Sequence, residues 1–170
     1  SNSGKSTIIG NFIKNINDDG NGRSRKYVFN HKHEIYSGET SSVSIQTKII
    51  KKNNVCYNIN LIDIPGNKKY MKTILTSINK YNPNLIFLVI DPLNIKINEL
   101  KLYLDIIKFN KISFKIILTK MDLYENYHKN YLLKNILNIC NKEFDDENIK
   151  KIFFIEINNL NKNGYNKILN

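Results

Sequence analysis

The apolar residues recur at helical spacing in some stretches of the chain and alternate or run unbroken in others. Residues 5–15 (KSTIIGNFIKN) place Ile8, Ile9, Phe12 and Ile13 on one side of a helix. Residues 16–41 are polar, charged and dotted with glycine, with no sustained period. They predict a long loop, and loops of that length inside a compact domain are usually functional. Over 43–50, Val43, Ile45, Thr47 and Ile49 alternate with Ser44, Gln46 and Lys48, which predicts a half-buried strand with the apolar set inward. Lys51-Lys52-Asn53-Asn54 supplies a hairpin turn, and a second strand over 55–63 runs into Asp63-Ile64-Pro65-Gly66. Tyr70, Met71, Ile74, Leu75 and Ile78 give 68–80 a helical stripe. The unbroken run at 85–90 (LIFLVI) suits a parallel strand covered on both faces. A helix over 96–109 with Leu100, Tyr103, Leu104 and Ile107 inward follows, then a buried strand over 112–118. A helix near 128–142, a strand near 152–157 and the start of a last helix complete the pattern.

Strands alternating with helices predict an α/β domain with a doubly wound, mostly parallel sheet, the strand at 43–50 being antiparallel. The 170 residues suffice for one such domain. A net charge of +11 invites a nucleic-acid partner. The basic residues are nearly all Lys, however, and are spread along a chain also rich in Asn and Ile, so a solvated Lys-rich surface is the preferred reading. Cys56 and Cys140 lie far apart with no C-x-x-C spacing, which fits a reduced, cytoplasmic protein without a zinc site. No apolar run approaches the length of a membrane span.

Chemistry enters with the first residues. Ser1-Asn2-Ser3-Gly4-Lys5-Ser6-Thr7 reads as the back of a Walker A loop, G-x-x-x-x-G-K-[ST], whose first glycine would sit ahead of Ser1. Gly4 lets the backbone pass close to a phosphate. Successive N–H groups form an anion nest, and the following helix adds the positive end of its dipole. Lys5 suits the β- and γ-phosphates and the Ser6 hydroxyl suits Mg²⁺. Asn2, Ser3 and Thr7 add polar groups to the same nucleotide site. Asp63-x-x-Gly66 falls at the end of a strand, where open α/β sheets hold ligands. Its carboxylate can hold Mg²⁺ through water, and the Gly66 N–H can reach a γ-phosphate. Thr119-Lys120-Met121-Asp122 follows another strand and is close to the guanine-reading pattern N-K-x-D. Asp122 can accept from the guanine N1–H and exocyclic amine while the Lys120 stem lies over the base. Adenine lacks that donor pair, which disfavours an ATP-dependent enzyme. The alternative for Asp122 is a helix N-cap.

The run Phe29-Asn30-His31-Lys32-His33-Glu34-Ile35-Tyr36-Ser37-Gly38-Glu39-Thr40-Ser41-Ser42-Val43 resembles switch I of the GTP-binding protein 1 and 2 group of translational GTPases, relatives of elongation factor Tu. The similarity extends through 63–74 (DIPGNKKYMKTI) to Thr119-Lys120-Met121-Asp122, where that group also has Thr for the usual Asn. The resemblance implies a P-loop NTPase G domain that binds GTP or GDP with Mg²⁺ and hydrolyses GTP. It also implies a ribosome- or RNA-linked role and β-barrel domains that follow outside these residues. By motif position, Thr40 joins Ser6 and Asp63 as a metal residue, and Asn158, in Ile157-Asn158-Asn159, falls in the guanine-contacting loop. The strand leading into the P-loop is central in the family's sheet order 2-3-1-4-5-6 and would precede Ser1. It is expected to be missing, leaving the strands at 55–63 and 84–91 about 9–10 Å apart, two strand spacings. The 170 residues alone are then expected to fold poorly and bind GTP weakly.

Members of the family resemble one another in a His directly after D-x-x-G, where this chain has Asn67. With Gly66 and Lys5, Asn67 is the expected catalytic set, because an amide can orient water as the glutamine of Ras-like proteins does. Asn cannot carry a positive charge as His can, so hydrolysis is expected to be slower. Alternatively, Asn67 is only an exposed residue opening the 68–80 helix. Two classes follow: a GTPase, or a GTP-binding switch that hydrolyses weakly and signals through 16–42 and 63–70. Thr40 is expected far from Ser6 when no nucleotide holds it. His31 and His33 read as surface residues rather than metal ligands. Lys68 and Lys69 read as RNA contacts or a solvated helix face.

Overall fold

The computed structural model describes residues 2–123, 126–144 and 154–157. The described residues up to Asn82 form one compact unit, and those from Pro83 onward form a second. The last helix and Asn158 lie outside the described residues.

In the first unit, α1 (Lys5–Lys14) starts directly after Gly4, whose φ of 83° is left-handed backbone that glycine adopts without strain. Ile8 is buried as expected, while Ile9, Phe12 and Ile13 are half-buried and the buried face also takes in Ser6, Thr7, Gly10 and Asn11. Gly10 is where α1 meets the loop after it: a Cβ there would overlap the Ser24 carbonyl oxygen. Alanine in a helix interior normally gains up to about 1 kcal/mol over glycine. Gly10→Ala should instead destabilise by about 1–3 kcal/mol through overpacking. Urea unfolding checks this, and a raised midpoint would show that the contact is not tight.

The long loop expected over 16–41 is in part a folded segment. Asp18 Oδ1 accepts from Ser24 N, and Asp19 Oδ1 accepts from Asn21 N and Arg23 N. A 3₁₀ turn at Arg25–Tyr27 and the short helix α2 (Lys32–Ser37) follow. The α2 helix has no apolar stripe to reveal it in sequence. Its buried residue is Glu34, which accepts hydrogen bonds from the chain on both sides.

Strands β1 (Ser44–Lys52) and β2 (Val55–Asp63) pair antiparallel from Ser44↔Asp63 to Lys52↔Val55. Asn53 and Asn54 both have positive φ, 49° and 61°, which is the backbone of a two-residue hairpin turn matched to strand twist. The facing of β1 is the reverse of the expectation. Ile45 is 47% and Ile49 70% exposed, whereas Ser44 is buried and Gln46, Lys48 and Ile50 are half-buried. Lys48 is the cause. Its Nζ donates to the Phe12 carbonyl and lies over the Phe12 ring, 4.6 Å from the centroid. The lysine stem thus covers α1, and its neighbours two places along share that face. A 3₁₀ turn at Lys68–Tyr70 leads into α3 (Met71–Tyr81), which buries Ile74, Ser77 and Ile78. Leu75, expected inward, is 40% exposed because it lies one position round the helix from that stripe. Ser77 takes the inner place by donating its hydroxyl to the Thr73 carbonyl at 2.6 Å.

In the second unit, β3 (Leu85–Ile90), β4 (Ser113–Thr119) and β5 (Phe154–Ile157) form a parallel ladder in the order β3-β4-β5. Helices α4 (Ile97–Phe109) and α5 (Asn126–Glu143) supply the crossovers that parallel pairing requires. Leu100, Leu104 and Ile107 of α4 are buried, with Tyr103 half-buried beside them. Leu100 and Leu104 join Ile90, Ile116, Leu118, Met121, Ile136 and Cys140 in the core. The α/β class and both strand directions agree with the sequence reading. Among the described residues the strands lie in two ladders, β1-β2 and β3-β4-β5, and no direct ladder joins β2 to β3, the pair expected not to be neighbours.

Candidate nucleotide site

At the phosphate-loop end, Asn2 (φ 59°) and Gly4 (φ 83°) are both left-handed, with Ser3 between them, so the chain curls into the first turn of α1. Alternating backbone of this kind turns N–H groups toward one concavity. Gly4 offers no capping side chain to that turn. Lys5 is half-buried, and Ser6 and Thr7 are buried.

The hairpin register brings two separate segments to Ser6. Because Ser44 pairs with Asp63, the residues just before β1 lie beside the end of β2. Ser6 Oγ donates to Asp63 Oδ2 at 2.5 Å and lies 2.9 Å from Thr40 Oγ1. Thr40 Oγ1 in turn donates to Asp63 Oδ2 at 3.4 Å. Asp63 is 1% exposed, and its Oδ1 is buried with no hydrogen-bond partner among the described residues. Burial pushes the Asp63 carboxyl above the usual carboxylate range, against the Lys5 charge and the Ser6 and Thr40 hydroxyls, which pull it down. A buried acid with an orphaned oxygen beside two hydroxyls is an all-oxygen donor set, and its chemistry fits Mg²⁺, which keeps several waters and needs few protein ligands.

Thr40 was expected to stand far from Ser6. The structure overturns that, and the cause is the segment's own scaffold. Glu34 is 0% exposed. Its Oε2 accepts from Asn30 N and His31 N at 3.0 and 3.1 Å. Its Oε1 accepts from the N–H groups of Ser41 and Ser42 at 2.7 and 3.0 Å, and from their hydroxyls at 2.9 and 3.2 Å. The two ends of the segment therefore close on one carboxylate and carry Thr40 with them. His33 Nε2 lies 2.8 Å from Ser41 Oγ, and the His31 and His33 rings stack at 5.4 Å.

Gly66 is half-buried after β2. Asn67 follows, and its side chain is engaged at both ends. Its Oδ1 accepts from Lys69 N at 3.1 Å, capping the turn at Lys68–Tyr70. Its Nδ2 donates to Glu39 Oε1 at 2.7 Å. Lys69 Nζ bonds Glu39 Oε2 at 3.1 Å and lies 4.8 Å from the Tyr70 ring centroid.

In the second unit the candidate base-reading residues follow β4. Thr119 is fully buried and donates its hydroxyl to the Ile90 carbonyl at 3.2 Å. Lys120 has left-handed backbone, φ 58°, uncommon for a side chain of its length and a mark of functional loops. Its Nζ bonds Asp91 Oδ2 at 2.6 Å. Asp91 follows β3 directly, is 4% exposed, and accepts from Leu93 N and Asn94 Nδ2. Burial raises its carboxyl pKa, but the bonds from Lys120 and Asn94 outweigh this and hold it below the usual range. Asp122 is exposed inside a 3₁₀ turn at Met121–Leu123 and is not an N-cap.

Glu34, Glu39 and Asp91 were not read as site residues. Asp91 did carry a signal: an acid directly after an unbroken apolar strand.

Among the described residues no helix is long and apolar enough to cross a membrane. The chain is 29% identical over 138 residues to GTP-binding protein 2 of Homo sapiens and of Mus musculus, a match covering 71% of this chain and 23% of each relative. Against GTP-binding protein 1 of Xenopus laevis it is 29% identical over 143 residues, covering 71% of this chain and 22% of that protein. It thus spans about a quarter or less of the curated relatives it matches. Its fold is shared with a bacterial selenocysteine-specific elongation factor EF-Sec, TM-score 0.74 at 18% identity, covering 99% of this chain and 26% of that one. It is shared also with translation elongation factor SelB from Methanococcus maripaludis, solved with the GTP analogue GPPNHP, TM-score 0.64 at 17% identity, covering 98% and 30%. The model of the elongation factor Tu GTP-binding domain matches residues 1–170, and the chain belongs to that family.

Proposed function

We infer that the protein binds GTP and GDP with Mg²⁺ and hydrolyses GTP, switching a translation- or RNA-linked factor. The observation behind this reading is the meeting of Ser6, Thr40 and Asp63 with an orphaned, buried Asp63 Oδ1. Bound Mg²⁺ would be held by the two hydroxyls, with Asp63 acting through water, and would neutralise charge on the phosphate oxygens. The phosphates fall to Asn2, Ser3, Gly4, Lys5, Ser6 and Thr7, and the γ-phosphate also to the Gly66 N–H. The base falls to Thr119, Lys120 and Asp122, with Asn158 from the following loop. Asp91 fixes the Lys120 ammonium so that its stem can lie along a base. In hydrolysis a water oxygen bonds the γ-phosphorus and the bond to the β–γ bridging oxygen breaks. GDP keeps that electron pair, and the water protons pass to the phosphate products and solvent.

The similar elongation factors support a GTP-dependent role, and Glu39 ties the 30–42 segment, which Glu34 closes on itself, to Asn67 and Lys69 after Gly66. A weakly hydrolysing switch is the second reading. It is favoured by Asn67 in place of the family's His, since an amide cannot carry the positive charge that an imidazole can.

Competition binding with GTP, GDP and ATP, with and without Mg²⁺, tests the proposal together with phosphate release. GTP should outcompete ATP by at least about 100-fold. Ser6→Ala should remove most of the Mg²⁺ dependence of GTP affinity. Equal competition by ATP, or Mg²⁺ dependence unchanged in Ser6→Ala, would refute the assignment.

A further inference from the structure

We propose that Glu39 is the positioning residue for GTP hydrolysis, fixing the Asn67 amide in one orientation beside the γ-phosphate loop. The inference rests on the GTPase reading above and deepens it. Residue 67 follows Gly66, and residue 39 precedes Thr40, so each is one residue from a group assigned to the phosphates or the metal. Glu39 Oε1 takes one Nδ2 proton of Asn67 at 2.7 Å, and Asn67 Oδ1 takes the Lys69 N–H at 3.1 Å. A carboxylate only accepts and a backbone N–H only donates, so the oxygen and nitrogen ends of the amide cannot exchange. A primary amide has two N–H donors and two carbonyl lone pairs. These bonds use one of each and leave one of each to order a water in a fixed plane. Preorganisation of this kind replaces part of what a histidine would supply.

Lys69 completes the arrangement. Its ammonium holds Glu39 Oε2 at 3.1 Å, and its backbone N–H caps the other side of Asn67. The Lys69 side chain is 54% exposed and that of Glu39 27%, so the ion pair by itself adds little. The part-buried bond between amide and carboxylate is the stronger arm. Glu39 is joined to Thr40, so the bond to the Asn67 amide and the contact of Thr40 with Ser6 are formed by neighbouring residues.

The test is a double-mutant cycle on the full-length protein, reading single-turnover GTP hydrolysis and GTP affinity separately for wild type, Glu39→Ala, Glu39→Gln, Asn67→Ala and Glu39→Ala/Asn67→Ala. Glu39→Ala should slow hydrolysis about tenfold, with GTP affinity within about twofold of wild type. Glu39→Gln should recover most of the rate, because its carbonyl can accept from Asn67 Nδ2. In the Asn67→Ala background, Glu39→Ala should add nothing, since its effect passes through that amide. Additive losses, an equal loss in affinity and rate, or a wild type no faster than Asn67→Ala would overturn the positioning role. A wild type that binds no guanine nucleotide would overturn the GTPase reading on which it rests.

Discussion

Glu34→Ala should open the segment at 30–42 and cost about 3–5 kcal/mol of stability, since several N–H donors lose a charged acceptor, at about 1–3 kcal/mol for each left unsatisfied. The carboxylate is fully buried and gathers the N–H groups of Asn30, His31, Ser41 and Ser42. Without it those donors lose their acceptor at once. Glu34→Gln should be nearly as damaging, because one of the two oxygens becomes an NH₂ facing N–H donors. The same cluster sets a pH dependence. Burial pushes the Glu34 carboxyl up, but the bonds from Ser41, Ser42 and His31 pull it further down, from 4.5 to about 2. A group whose pKa is depressed by folding stabilises the fold above its unfolded pKa. That contribution, about 3 kcal/mol, is complete above pH ~4.5 and fades as pH falls toward ~2. Urea unfolding of wild type and Glu34→Ala between pH 7 and pH 3 should give stabilities that converge on the acid side. A gap that stays constant with pH would show that the cluster is not what holds the segment.

Asp122→Asn should weaken GTP binding by about 10²–10⁴-fold, because two hydrogen bonds to a charged acceptor are lost and an NH₂ meets the guanine donors. Xanthine nucleotides should gain, since their carbonyl at position 2 accepts from an amide. The local fold gives the side chain one direction. Thr119 is tied to the Ile90 carbonyl, Met121 is buried at 3% exposure in the core, and Asp122 projects from the turn between buried Met121 and exposed Leu123. Substitution there touches no core contact, so stability should hold within about 0.5 kcal/mol. Competition between GTP and XTP on both variants measures the swing. An unchanged ratio would exclude Asp122 as the base reader.

Element positions were largely legible. The 55–63 strand, the Asn53-Asn54 turn and the apolar run at 85–90 stand where alternation, turn chemistry and composition put them. Alternation along β1 showed that its two faces differ but not which one packs. Lys48 reads as a surface charge, yet its stem covers Phe12, and Ile45 and Ile49 take the open side. The α2 helix was not legible because a buried carboxylate organises it, and no apolar period marks that. The site divides in the same way. Ser6, Asp63, Lys120 and Asp122 belong to short motifs with fixed spacing, and Thr40 is named by the family resemblance of the run around it. Glu39 and Asp91 act on groups 28 and 29 residues along the chain, and Glu34 gathers the chain on both sides of itself, so their roles exist only once the chain has closed.

The hairpin turn has a reach well beyond its own residues. Each strand of the hairpin is nine residues long, about 30 Å of extended chain. Asn53-Asn54 lies at one end and Asp63 at the other. The length of the turn works as a ruler: it fixes which residue of β1 stands across from Asp63. One residue added or removed there would slip the frame by one and send every β2 side chain, Asp63 included, to the opposite face. The carboxylate would leave Ser6 and Thr40 although no residue near them had changed. Two exposed asparagines therefore hold Asp63 beside Ser6 and Thr40 as surely as the hydroxyls do.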